Sequence, residues 1–228
     1  MSIDKYDLII FDCDGTLVDS EYLHNKLNSD LLISLGLDEY TPEICIERLA
    51  GKSWTDIKPD IKKNHGVDVP QELIEARIPK TLEILLENEQ IVNSIEGALD
   101  FVEFVHSHCK IAVGSNGEPP TVLKSLEMKG FMTYFLPEHL YTKDIVPNAK
   151  PAPDLFLHAA EKMSVEPSRC LVIEDSVSGA QAGLNAGMDV FGFTGVAHDI
   201  KTAESKLKNI GITQIFDSFI HMQEHLKA

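Results

Sequence analysis

Two aspartates one residue apart, Asp12 and Asp14, close an apolar run in Leu8-Ile9-Ile10-Phe11-Asp12-Cys13-Asp14-Gly15-Thr16. In an extended segment residues i and i+2 point to the same side, so the two acids face one space. Carboxylates held that close repel each other unless a cation joins them, and an all-oxygen ligand set suits a hard ion. Gly15 lets the chain turn sharply straight afterwards. The plain alternative is a DxDG surface turn, but such a turn rarely follows a stretch of buried-type residues.

Three further stretches carry groups of complementary chemistry. Cys170-Leu171-Val172-Ile173-Glu174-Asp175 is a second apolar run ending in acids, followed by the small-residue stretch Val177-Ser178-Gly179-Ala180-Gln181-Ala182-Gly183. Glu174 or Asp175 as metal ligands would complete the acidic cluster; a solvated helix N-cap is the alternative. Ala112-Val113-Gly114-Ser115-Asn116-Gly117 places a hydroxyl and free backbone N–H groups before Pro119-Pro120, a combination that makes an anion site at a strand-to-helix junction. In Asn148-Ala149-Lys150-Pro151-Ala152-Pro153-Asp154, Pro151 biases Lys150 toward an extended backbone and Pro153 suits the first turn of a helix. A lysine fixed in that way can neutralise a phosphate, where a single lysine would otherwise read as surface charge.

The elements that must bring these groups together follow from hydrophobic periodicity. Continuous apolar runs at 7–12, 110–114, 170–174 and 189–193 read as buried parallel strands. Amphipathic stretches of helical length lie between them, at 119–129, 153–163 and 177–186. Strands alternating with helices predict a doubly wound α/β sheet, which binds ligands at the carboxyl ends of its strands. Each candidate residue falls at such an end or just before a helix. Between Ser20 and Asn93 the alternation stops, leaving helical periodicity in pieces such as Leu23/Leu27/Leu31 and Leu73/Ile74/Ile78/Leu82/Leu85/Leu86. The expected organisation is an α/β core of residues 1–19 and 94–228 with an inserted all-α subdomain at 20–93.

Composition narrows the classes. Among 228 residues there are 36 acidic and 20 basic ones, a net charge of -16, and no Lys/Arg cluster that would track a phosphate backbone. Nucleic acid is therefore not an expected partner. No apolar run approaches the ~20 residues that span a bilayer, and the N-terminus lacks the pattern of a secretory signal, so the cytoplasm is the expected compartment. Cys13, Cys45, Cys109 and Cys170 form no CxxC pair and read as small reduced core residues. His106 and His108 fall at a helix end, where metal binding is not expected.

With DxDGT at Asp12–Thr16, Ser115, the lysine of KPxPD at Lys150 and the Glu174–Asp175 pair in this order, the chain resembles the haloacid dehalogenase superfamily in its phosphatase branch. The likeness covers essentially the whole length, and the helical insert after the first motif resembles the cap of the β-phosphoglucomutase and sugar-phosphatase group. The resemblance implies that Asp12 is the nucleophile, and that Asp14 protonates the leaving alcohol and then activates water. It implies magnesium held by the Asp12 carboxylate, the Asp14 carbonyl and Asp175, with Glu174 close by or acting through water. Ser115, the backbone at Asn116 and Gly117, and Lys150 would grip the phosphoryl oxygens. In the insert, His24 lies where β-phosphoglucomutases have a histidine. Those mutases follow their cap glycine with a serine and an arginine, whereas Gly51-Lys52-Ser53-Trp54 has tryptophan in the arginine's place. Lys52, Trp54 and His24 are candidates for substrate contact; for His24 and Trp54 packing within the insert or a surface position is the alternative.

The function implied is magnesium-dependent hydrolysis of a small phosphate ester, a sugar phosphate or a phosphorylated sugar acid such as 6-phosphogluconate, through an aspartyl-phosphate. No membrane partner is expected, and the protein is expected to be a monomer or a dimer. A phosphosugar mutase is the alternative within the fold, disfavoured by Trp54. A non-catalytic receiver-like phosphate-binding module is the alternative outside it; such modules carry no large helical insert and have no need of Asp14.

Overall fold

The computed structural model describes residues 2–49 and 54–228. Lys52, with Gly51 and Ser53, lies outside the described residues. The chain divides into two compact units, the segment up to Asp19 with Asn93–Ala228 in one and Ser20–Val92 in the other.

The first unit is built on β1 (Leu8–Phe11), after which β2 (Val18–Asp19) and β3 (Asn93–Ser94) form a two-stranded antiparallel ribbon where the insert leaves and returns. The remaining strands are β4 (Lys110–Ser115), β5 (Leu140–Thr142), β6 (Cys170–Glu174), β7 (Asp189–Phe193) and β8 (Gln214–Phe216). Six of them make one parallel sheet in the order β5-β4-β1-β6-β7-β8. All four residues of β1 are buried, as a strand covered on both faces must be. Their side chains alternate. Leu8 and Ile10 join the cluster formed with Leu155, Phe156, Val172 and Ala180, while Phe11 on the other face meets Phe101 and Phe135 edge-on.

The chain moves outward from β1 through β4 to β5, then returns to the far side of β1 for β6. Strand order therefore reverses at β1, which is where open α/β sheets leave a crevice at the strands' carboxyl ends. Register aligns the ends. Phe11 pairs with Val113 on one side and Ile173 on the other, so the residues just past each partner reach the same edge.

The second unit comprises α1 (Glu21–Ser34), α2 (Pro42–Leu49), α3 (Trp54–His65), α4 (Gln71–Glu75) and α5 (Arg77–Glu87). It has its own apolar core, including Leu31, Leu32, Tyr40, Cys45, Ile57, Ile61 and Ile74. The apolar series expected over 73–86 is split between α4 and α5. Only Ile74 and Leu85 of it are buried, and Leu86 stands 60% exposed. The first unit continues with α6 (Ala98–His106), α7 (Pro119–Met128), α8 (Asp154–Lys162), α9 (Val177–Asn185), α10 (Ile200–Asn209) and α11 (Phe219–Lys227). All four cysteines are free thiols; Cys13, Cys45 and Cys170 are buried and Cys109 is half-buried. Among the described residues no helix is long and apolar enough to cross a membrane.

Candidate active site

Asp12 follows β1 directly, and its N–H still donates to the carbonyl of Ile173, 3.0 Å away. The ladder thus fixes the backbone of the residue whose side chain enters the crevice. The segment after it is a tight turn in which Leu17 N–H and Val18 N–H both donate to the Cys13 carbonyl. Gly15 sits in that turn at φ +83°, and a Cβ there would stand 2.2 Å from Asp175 Oδ2. Glycine is needed at this point on both counts: left-handed backbone and room for a carboxylate.

Lys150 occupies the centre of the site. Its Nζ donates to Asp12 Oδ1 at 2.6 Å and to Glu174 Oε1 at 2.7 Å, and the ammonium lies over the Phe156 ring, 4.9 Å from its centroid. Asp12, Glu174 and Lys150 are all buried, at 7%, 1% and 7% exposure, so none of these charges is relaxed by bulk water. The loop bearing Lys150 is tied down through Asn116. The Lys150 N–H donates to Asn116 Oδ1 at 3.1 Å, and Asn116 Nδ2 donates to the Lys150 carbonyl at 3.2 Å. The Asn116 side chain therefore positions the lysine, whereas the sequence pointed only to its backbone.

The turn that closes β4 supplies the opposite wall. Ser115 is buried, and its Oγ accepts the Gly117 N–H at 2.9 Å. A Cβ on Gly117 would stand 3.1 Å from Ser115 Oγ and 3.5 Å from Asp14 Oδ2, so Asp14 and the Ser115–Gly117 turn share one small space. The first motif and the third are thereby brought together.

Glu174 is anchored by residues that the motifs did not single out. Its Oε2 accepts from the Ser176 N–H at 3.0 Å and from Ser176 Oγ at 2.9 Å. Ser176 Oγ in turn accepts the Gly179 N–H at 3.0 Å and caps α9. A Cβ on Gly179 would fall 1.6 Å from Glu174 Oε1, so this glycine makes the space in which the carboxylate lies. The signal available in the sequence was a serine followed three residues later by glycine, directly after the acidic pair.

The electrostatics describe a site short of positive charge. Burial pushes the Asp12 carboxyl up to about 7, against the pull of the Lys150 ammonium and with the push of Glu174 and Asp14. Burial, then the charges of Glu174 and Asp12, hold Asp175 well above the usual carboxylate range. Burial alone would favour neutral Lys150, but Asp12 and Glu174 outweigh it and hold the ammonium firmly protonated. One oxygen from each of Asp12, Glu174 and Asp175 can be chosen so that all lie within 4.8 Å of one another. An all-oxygen set this compact, in which burial first and the neighbouring acids second push Asp12 and Asp175 up, fits a hard divalent cation.

Of the candidates in the helical unit, His24 is exposed on the first turn of α1, with Nδ1 3.3 Å from Ser20 Oγ. Trp54 opens α3, half-buried against that unit's own core. His106 and His108 make local ring contacts with Tyr134 and Phe104 respectively.

A six-stranded parallel sheet, an acid at the end of the strand at its switch point, and a lysine clamped between two acids are the frame of an α/β hydrolase. Residues 6–187 match the haloacid dehalogenase-like hydrolase family, and the chain belongs to it. It is 31% identical to the 6-phosphogluconate phosphatase of Escherichia coli over 195 residues, 86% of each chain. It is 31% identical to the fructose-1-phosphate phosphatase of the same organism over 186 residues, 82% of this chain and 95% of that one. A solved haloacid dehalogenase-like protein of unknown function from Agrobacterium tumefaciens superposes with a TM-score of 0.79 at 33% identity, covering 97% of both chains. The protein is a phosphatase of this family.

Proposed function

We propose that the protein hydrolyses small phosphorylated sugars or sugar acids with magnesium as cofactor, through a phosphoryl group carried on Asp12. The observation that carries this reading is the Lys150 ammonium lying 2.6 Å from Asp12 Oδ1 and 2.7 Å from Glu174 Oε1. A buried carboxylate oriented by a buried cation, with Asp14 two residues on sharing a small space with the Ser115–Gly117 turn, suits attack on an electrophile that brings its own negative charge. The relatives named for 6-phosphogluconate and fructose 1-phosphate support the sugar class.

In the first half-reaction an oxygen of Asp12 forms a bond to phosphorus while the bond to the leaving alcohol breaks. Asp14, on the Ser115–Gly117 side, gives its proton to the departing oxygen. In the second half Asp14 takes a proton from water, the water oxygen bonds to phosphorus, and the bond to Asp12 breaks to release inorganic phosphate. Ser115, the N–H groups at Asn116 and Gly117, and Lys150 hold the equatorial oxygens, because phosphoryl transfer needs chiefly positioning and charge neutralisation. Asp12 and Asp175, with the Asp14 carbonyl, would hold magnesium. Glu174, its oxygens engaged by Lys150 and Ser176, orients the lysine and would lie close to the ion or act on it through water. Bound magnesium supplies Lewis-acid neutralisation of the phosphoryl oxygens.

The test is phosphate release from a panel of sugar phosphates, phosphorylated sugar acids and nucleotides, with magnesium and again in excess EDTA. Magnesium-dependent release from sugar esters is expected. Full activity in EDTA would remove the metal, and glucose 6-phosphate forming from β-glucose 1-phosphate faster than free phosphate would make the enzyme a mutase.

A further inference from the structure

A cavity of about 390 Å³ lies at the β5 edge of the sheet, wholly within the sheet-bearing unit. Its walls come from the single turn Pro137–His139, from β5 with the turn Lys143–Ile145 that follows it, and from α8. Small-molecule sites run from about 300 to 1,000 Å³, so the space suits a small metabolite.

Four ionisable side chains line it, Glu138 and His139 on the turn and His158 and Lys162 on α8. Among the described residues none of the four has a side-chain hydrogen bond or an ion pair. Lys143, in the next turn of the chain, shows the usual outcome, pairing with Glu118 at 2.8 Å. Glu138 and Lys162 bring opposite charges to one cavity without meeting, so they stand on separate walls. His158 and Lys162 are four residues apart, which places them on one face of α8. Between the charges the lining is apolar. Tyr141 is buried, with its ring edge-on to His158 at 5.7 Å between centroids, and Ile145 stands 44% exposed. Burial, then the charge of Glu138, holds the Tyr141 phenol above its ordinary range, which puts the carboxylate near this floor.

Charge decides what fits. A phosphate ester carries about two negative charges at neutral pH and would meet one lysine and a repelling Glu138. A plain carboxylate would answer Lys162 and leave Glu138 without a donor. A molecule with both charges answers both walls. We propose that this cavity binds a zwitterionic amino acid with an apolar side chain. Its carboxylate lies on Lys162 and His158, and its ammonium on Glu138, with the His139 imidazole able to accept as well. The side chain packs on Tyr141 and Ile145. These walls belong to the elements directly before and after the segment that carries Lys150, so an occupant ties both ends of that segment. The site stands independently of the phosphatase reading.

The test is to titrate L-leucine and L-phenylalanine into the isotope-labelled full chain while following the backbone amides of 138–145 and 158–162. Saturable shifts centred on these amides are expected at millimolar concentrations or below. L-Leucinamide lacks the carboxylate, 4-methylpentanoate the ammonium and glycine the side chain; each should bind roughly tenfold more weakly or worse. Lys162→Met should weaken leucine by a similar factor and leave leucinamide unchanged. Glu138→Gln should weaken leucine and leave 4-methylpentanoate unchanged. Both side chains are exposed, so both variants should keep the parent's amide spectrum elsewhere. No saturable shift from either amino acid at about 20 mM overturns the site. So does leucinamide or 4-methylpentanoate binding as tightly as leucine, inorganic phosphate shifting the same amides at lower concentration, or either variant binding leucine like the parent.

Discussion

At Asp12 two opposed demands meet in one side chain. In the mechanism proposed above it must be ionised to attack, yet burial pushes its carboxyl up to about 7. Lys150 offsets part of that push from 2.6 Å, and a hard cation on the free side would offset more. Replacing the carboxylate by an amide leaves an oxygen for Lys150 and removes the nucleophile. Asp12→Asn is expected to lower kcat at least a thousandfold, about 4 kcal/mol of barrier, with the melting temperature close to the parent's. Steady-state rates within tenfold of the parent would take the nucleophilic role away from Asp12. At this scale much of the site was legible. Asp12, Asp14, Lys150, Glu174 and Asp175 announce themselves because acids or a lysine next to buried runs and prolines have few structural reasons to be there. Ser176 and Gly179 were silent, since a missing side chain acquires meaning only once Glu174 is seen lying where it would have been.

Elements show the same division between what periodicity carries and what packing decides. The strands β1, β4, β6 and β7 are apolar runs with nothing else to be, and they were expected near their observed ends. The sheet's two edges, β5 and β8, were missed. Leu140-Tyr141-Thr142 and Gln214-Ile215-Phe216 are too short to carry a period of their own and become strands because β4 and β7 offer them a ladder. Helix α9 is where element geometry and chemistry meet. Cβ atoms on Gly179 and Gly183 would fall 1.6 Å from Glu174 Oε1 and 2.7 Å from Val190 Cγ2, so the helix can lie close to the sheet and cap the acid it follows. Alanine in place of a helical glycine ordinarily stabilises by up to ~1 kcal/mol. Gly179→Ala should do the reverse, because Glu174 must swing away and release Lys150. Melting should show a destabilised but folded protein, and kcat should drop roughly tenfold or more, as for one displaced electrostatic contact. Ser178→Ala on the same helix, exposed, is the control. A Gly179→Ala enzyme with the parent's kcat would mean that Glu174 does not need its place.

At the scale of the whole molecule, the question is how a chain carrying a net charge of -16 keeps an anion-handling site and a 73-residue excursion, Ser20–Val92, in one protein. The first part has a local answer. The six site candidates Asp12, Asp14, Ser115, Lys150, Glu174 and Asp175 all lie in the sheet-bearing unit, where one buried lysine offsets part of the acids' charge and a bound cation would offset more. The second part is answered by the ribbon. Val18 pairs with Ser94 and Asp19 with Asn93, which moves the expected boundary of the insert by one residue, since Asn93 belongs to the ladder. Residues directly opposed in an antiparallel pair have Cα atoms only about 4.5–5.5 Å apart, the span that a two-residue hairpin turn closes. We predict that joining Asp19 to Asn93 through Asn-Gly, with 20–92 deleted, yields a folded α/β protein. Its cluster of Leu8, Ile10, Phe156, Val172 and Ala180 is complete without the insert. Far-UV circular dichroism and a cooperative thermal transition check the fold. Magnesium-dependent hydrolysis of p-nitrophenyl phosphate, a small ester with no sugar to recognise, checks the site. If both survive while discrimination between 6-phosphogluconate and glucose 6-phosphate is lost, chemistry resides in one unit and selection in the other. An unfolded or inactive product would show instead that the helical unit is part of what makes the crevice competent.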